Sequence, residues 1–267
     1  MKNKFFAVTA LSIIMLSSAS CTETVKQMNS DYIDAALNVS EAIEVITETS
    51  QVVTELVTEP LEMPNDYAIK DTCKLDVEAI LQNPELPTGC EVTALATALN
   101  YCGFSIDKVE LCDNFLPIDY DGRYTFDEAY IGNPKADNGF GCNAPVITET
   151  AKKYFESIEA EWDSLNLTGT ELQELFYQIE KGRPVIVWSS MSLKDVTFRL
   201  RWTTEDGDEA WFAELEHCMV LTGYDKVNDI VYVSDPLKGS MEYSLERFED
   251  VYNQMGKQAV ILFEQEC

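Results

Sequence analysis

A chain of 267 residues with 46% hydrophobic and 25% charged residues carries enough apolar side chain to bury a full core, which excludes a disordered or collagenous protein. Nineteen Lys and Arg against 47 Asp and Glu leave a formal charge of −28, so the surface repels phosphate backbones and anionic headgroups and nucleic acid is not an expected partner. A single histidine, His217, excludes every mechanism that needs two imidazoles and every multi-histidine zinc site.

The chain opens on Lys2 and Lys4, an apolar run from Phe5 to Leu16, the small residues Ser17 to Ser20, and Cys21. The run is shorter than the roughly 20 residues that span a bilayer, so residues 1–20 read as an export signal. Ser18-Ala19-Ser20-Cys21 resembles the lipobox of bacterial lipoproteins, with Ser18 where that pattern usually has Leu. The resemblance implies lipidation of Cys21 and an extracytoplasmic protein held on the cell membrane; plain secretion and a retained anchor are the alternatives. Cleavage before Cys21 removes two lysines and no acids, taking the charge to −30. Residues 22–66 hold one lysine and no Gly, Trp or Phe. The segment 21–70 therefore reads as an acidic, poorly structured spacer or, alternatively, a propeptide arm over a cleft.

From Asp71 to Cys267 the composition is that of a folded domain. Thr88-Gly89-Cys90-Glu91 matches a capping box, Thr88 as N-cap and Glu91 at N3, ahead of the stripe Val92, Leu95, Ala96 and Leu99. This predicts a helix from Gly89 to near Gly103. Pro145 opens a second helix over 145–158, and Thr170 and Gly182 bracket a third over 170–181. Strands are predicted at Pro184 to Ser189, His217 to Tyr224, Ile230 to Ser234 and Gln258 to Phe263. A Gly-rich segment, Gly132 to Cys142, and a polar insertion near Thr203 to Trp211 read as long loops that shape a cleft. Helices first and strands last predict an α+β fold, a helical half packed on a mostly antiparallel sheet.

Cys90, expected as the second residue of a capped helix, lies where free backbone N–H groups and the helix dipole favour a thiolate. The base it needs can only be His217, early in a strand. Asp235, ending the next strand, can orient that imidazole if the two strands pair through a turn near Asn228 and Asp229. Gln82, eight residues before Cys90 in a Pro-punctuated loop, can offer its amide to an oxyanion beside the Cys90 backbone N–H. The remaining cysteines permit zero to two disulfides, with Cys218 pointing away from His217. Asp119-Tyr120-Asp121-Gly122 and Asp127-Glu128 do not meet EF-hand spacing and read as solvated acids. No metal or cofactor is expected.

Gln82, the run Pro87-Thr88-Gly89-Cys90-Glu91-Val92-Thr93-Ala94-Leu95-Ala96, Gly141-Cys142, His217 ahead of Leu-Thr-Gly-Tyr-Asp, and Asp235-Pro236 together resemble the double-glycine peptidase-like group of the papain clan, cysteine-peptidase family thirty-nine and its stand-alone relatives. The resemblance covers roughly residues 75 to 264. It implies a papain-like fold and a cysteine peptidase acting on peptides or proteins, with Cys90 as nucleophile, His217 as general base, Asp235 as orienting acid and Gln82 in the oxyanion hole. The bacteriocin-processing members are fused to transporter spans that this sequence lacks, which weighs against leader-peptide cleavage. Two rivals stand beside this reading, a peptidoglycan peptide amidase or endopeptidase and a catalytically silent domain that binds peptides or proteins.

Overall fold

The computed structural model describes residues 63–64 and 67–265. The expected signal peptide, Cys21 and most of the acidic segment lie outside the described residues, as does Cys267. In chain order the elements are β1 (Thr72–Lys74), α1 (Cys90–Tyr101), α2 (Lys108–Phe115), β2 (Ile118–Asp119), β3 (Tyr130–Ile131), α3 (Ala144–Ser157), β4 (Trp162–Asn166), α4 (Leu172–Glu180) and β5 (Val185–Ser190). A short 3₁₀ turn, Met191–Leu193, leads to β6 (Thr197–Thr203), β7 (Glu209–Glu214), β8 (Glu216–Asp225), β9 (Ile230–Asp235), β10 (Gly239–Ser244), α5 (Leu245–Gln254) and β11 (Ala259–Glu264).

The main sheet runs β10-β9-β8-β5-β11-β4, with β1 added to the far end of β8, and every pairing in it is antiparallel. Its central strands β5 and β8 are buried residue after residue, so both faces are covered. The helices supply that cover: α1 packs on β8 and β5, α3 on β4, and α5 on β5. The expected α+β class and antiparallel sheet are therefore observed, and the four predicted strands fall within one or two residues of β5, β8, β9 and β11. Helices are not confined to the first half, because α5 follows β10 with its own N-cap, Ser244 Oγ accepting from the Arg247 N–H.

Three local expectations are corrected. Thr88 does not cap α1: Gly89 is the N-cap, and Thr88 instead donates its hydroxyl to the carbonyls of Asn133 and Ala136 in the Gly-rich segment. Thr170 does not cap α4, which starts after Glu171. The insertion near Thr203 to Trp211 is the tip of a β-hairpin, β6–β7, with a turn over 204–208, and the hairpin's Trp202 and Phe212 pack on a separate cluster of Phe126, Ala129, Ile131 and Ala210.

The hairpin leaves and re-enters the sheet between β5 and β8, next to the pairs Ser189–His217 and Ser190–Glu216. Residues ahead of Asp71 also reach the domain, since the Tyr67 hydroxyl and the Lys70 N–H both donate to Glu180. Asp119 is buried, not solvated, and its carboxylate accepts from the backbone N–H groups of Asp121, Arg123 and Tyr124. The six described cysteines carry free thiols. Among the described residues no helix is long and apolar enough to cross a membrane.

Candidate active site

Three elements meet at the site: the start of α1, the start of β8, and the end of β9. Val220 pairs with Ser234 across β8 and β9, so the next opposite residues are Met219 and Asp235. His217, two residues back on the same face, is the diagonal neighbour of Asp235. Its Nε2 lies 2.7 Å from Asp235 Oδ1, with both side chains almost wholly buried. Asp235 is held from three further directions: the Leu237 N–H donates to Oδ1 at 2.8 Å, the Tyr243 hydroxyl to Oδ2 at 3.1 Å, and Lys238 Nζ stands 3.8 Å away. Burial pushes the Asp235 carboxyl up, but the bond and charge of His217 and the Leu237 and Tyr243 donors outweigh it and hold the group ionised.

Cys90 is the first residue of α1, one position earlier than expected, and is 6% exposed. Its Sγ accepts from the Cys218 backbone N–H at 3.4 Å, which puts the sulfur against the peptide that directly follows His217. No hydrogen bond links it to the imidazole. The thiol instead donates to Glu91 Oε2 at 3.3 Å. Glu91 is fully buried, its Oε1 accepts from the Cys142 N–H at 2.7 Å, and burial pushes its carboxyl up to about 7 against those hydrogen bonds. Glu216 stands beside it, raised well above its usual range by burial and by the Glu91 charge. Burial, then the Glu91 and Glu216 charges, raise the Cys90 thiol far more than the Cys218 N–H lowers it. The helix start favours a thiolate, and burial together with the two carboxyls opposes it.

Gln82 is 2% exposed and sits in the loop ahead of α1. Its Nε2 donates to the Pro87 carbonyl at 2.7 Å, leaving one amide hydrogen over, and its Oε1 has no partner. Its backbone N–H donates to the Pro236 carbonyl at 2.8 Å, tying this loop to the residue after Asp235. Lys108 of α2 fixes the loop from the other side, donating to the carbonyls of Leu81 and Gln82 and pairing with Glu85 at 2.7 Å. Sequence reasoning missed Lys108, Tyr243 and the buried roles of Glu91 and Glu216. The capping-box pattern draws Glu91 to the helix start, and an acid directly before the sole histidine is the one sequence signal for Glu216.

A family model described as the Peptidase_C39 like family matches residues 74–260, most of the chain. The chain belongs to this family. The uncharacterized protein YvpB of Bacillus subtilis (strain 168) is 32% identical to it over 197 residues, covering 70% of this chain and 75% of YvpB. Among solved structures, a Bacillus anthracis protein described as a C39-like peptidase is 31% identical and superposes with a TM-score of 0.64, covering 74% of this chain and all of that one. The C39-like match spans every element that places Cys90, His217, Asp235 and Gln82, from β1 to the start of β11.

Proposed function

We propose that this C39-like chain is a cysteine peptidase that hydrolyses peptide bonds in peptides or proteins. His217 commits Nε2 to Asp235, so Nδ1 is the nitrogen left to take the Cys90 proton. Rotation of the Cys90 side chain carries Sγ from Glu91 to the ring. The thiolate attacks the scissile carbonyl, and the developing oxyanion is received by the Cys90 backbone N–H and the spare Gln82 amide hydrogen. His217 passes its proton to the leaving amine, then takes one from the water that releases the acyl-enzyme.

The observation that carries this reading is the buried 2.7 Å His217–Asp235 contact with the Cys90 sulfur lying on the next peptide N–H. Its setting is an exported domain anchored through lipid on Cys21. Digestion of a peptide library tests the activity: the wild type is expected to cleave and Cys90→Ala to be inert, whereas equal cleavage by both would overturn the assignment.

A second reading, a silent domain that binds peptides, draws support from the thiol donating to Glu91 and not to His217. Iodoacetamide separates the two. Rapid, Cys90-selective alkylation at mildly acidic pH that disappears in His217→Ala supports the peptidase, and slow nonselective labelling supports the binding domain.

A further inference from the structure

The chemistry proposed above needs a thiol and an imidazole, and it leaves two buried carboxyls beside the sulfur without a task. Cys90 Sγ and one carboxylate oxygen from each of Glu91 and Glu216 all lie within 4.8 Å of one another, and all three residues are buried. A thiolate-bound zinc ion has a Zn–S bond of about 2.3 Å and Zn–O bonds of about 2.0–2.2 Å, which place sulfur and oxygen donors roughly 3.5 Å apart in a tetrahedron. The observed Sγ–Oε2 separation is 3.3 Å.

Three further features point to a bound cation. Glu216 is 8% exposed and its Oε1 has no hydrogen-bond partner, a costly state for a buried carboxyl oxygen. The donors are already oriented from behind, Glu91 Oε1 by the Cys142 N–H and Sγ by the Cys218 N–H, as outer groups orient the ligands of a metal. Gly141 provides the room, because a Cβ there would stand 2.5 Å from Glu91 Oε1 and 2.8 Å from Glu216 Oε2.

We propose that Cys90, Glu91 and Glu216 form a site for a divalent transition-metal cation of the zinc class, the fourth position left to water. On binding, the Cys90 S–H bond and the O–H bond of any protonated carboxyl on Glu91 or Glu216 break, those protons pass to the solvent, and metal–sulfur and metal–oxygen bonds replace them. The consequence for activity rests on the peptidase reading: a metal-held sulfur cannot attack, so the ion keeps the enzyme latent until a chelator or a competing ligand removes it.

Cobalt(II) titration of the chelator-treated full chain tests the site without any substrate. The expected result is one equivalent bound with a near-ultraviolet thiolate-to-cobalt band, displaced by zinc. Cys90→Ser is expected to lose the band, and Glu216→Gln to weaken binding at least tenfold while keeping the wild-type circular dichroism. Should Glu216→Gln fail to fold, the near-isosteric Cys90→Ser decides. Zinc is also expected to protect Cys90 from alkylation, read by mass spectrometry. No stoichiometric binding, or binding unchanged in Cys90→Ser, would overturn the proposal. Neither readout uses peptide hydrolysis, so a protein that binds cobalt yet stays inactive after chelator treatment sinks only the peptidase reading, and an active one that does not bind cobalt sinks only the metal site.

Discussion

In the proposed mechanism Asp235 works through His217, so its conservative loss is the informative change. Asp235→Asn keeps the shape but removes the charge that stabilises the imidazolium, and kcat is expected to fall by about 10²–10⁴-fold with KM little altered, measured by steady-state hydrolysis of one peptide. Gln82→Ala removes the proposed oxyanion donor and is expected to cost about 10²–10³-fold in kcat, roughly 3 kcal/mol. Glu91 acts in the other direction. Its charge is one of the causes that raise the Cys90 thiol, so Glu91→Gln lowers that thiol, and alkylation of Cys90 at neutral pH in the presence of chelator is expected to be faster than in the wild type. A slower rate would mean that Glu91 holds the sulfur for catalysis and does not restrain it.

At the scale of elements, the site depends on how α2 and α4 hold the segments around it. Lys108 of α2 satisfies two carbonyls of the Gln82 loop from an 8% exposed position. Lys108→Met strands both and is expected to destabilise the fold by about 1–3 kcal/mol in urea unfolding. It should also lower kcat, and that loss should vanish in a Gln82→Ala background if the lysine acts by placing the amide. Glu180 closes α4 by accepting from the hydroxyls of Tyr224 on β8 and Tyr67 ahead of β1. Burial raises its carboxyl, yet the Tyr224 and Tyr67 bonds and the Lys70 N–H and charge bring it below its ordinary value. A depressed folded-state value stabilises the native state above the ordinary carboxylate range and loses that contribution as pH falls through it. The stability gap between wild type and Glu180→Gln, followed by thermal unfolding, is therefore expected to be full at neutral pH and to close on acidification.

Across the whole molecule, what was legible followed from local pattern and from scarcity. The strands around His217 and Asp235 show as short apolar runs bounded by turn residues, and a lone histidine leaves no choice of base. The diagonal meeting of the two was not legible, because an irregularity between Leu221 and Gly223 shifts the β8–β9 register by one residue and so brings Asp235 onto the face of His217. What was illegible depended on distant partners. Thr88 and Glu91 carry a valid capping-box pattern, but the fold sends the hydroxyl to Asn133 and Ala136 and the carboxyl to Cys142, because both lie against the Gly-rich segment. The β6–β7 hairpin was hidden by its acidic tip, since its buried face is completed by Phe126 and Phe140 from elsewhere in the chain.

The central claim is that Asp235 serves catalysis only through His217, which serves Cys90. A double-mutant cycle on peptide hydrolysis, with His217→Ala, Asp235→Asn and the double variant, tests it most directly. The account predicts that the double variant is no slower than His217→Ala alone. Losses that add, or wild-type rates in His217→Ala, would contradict it.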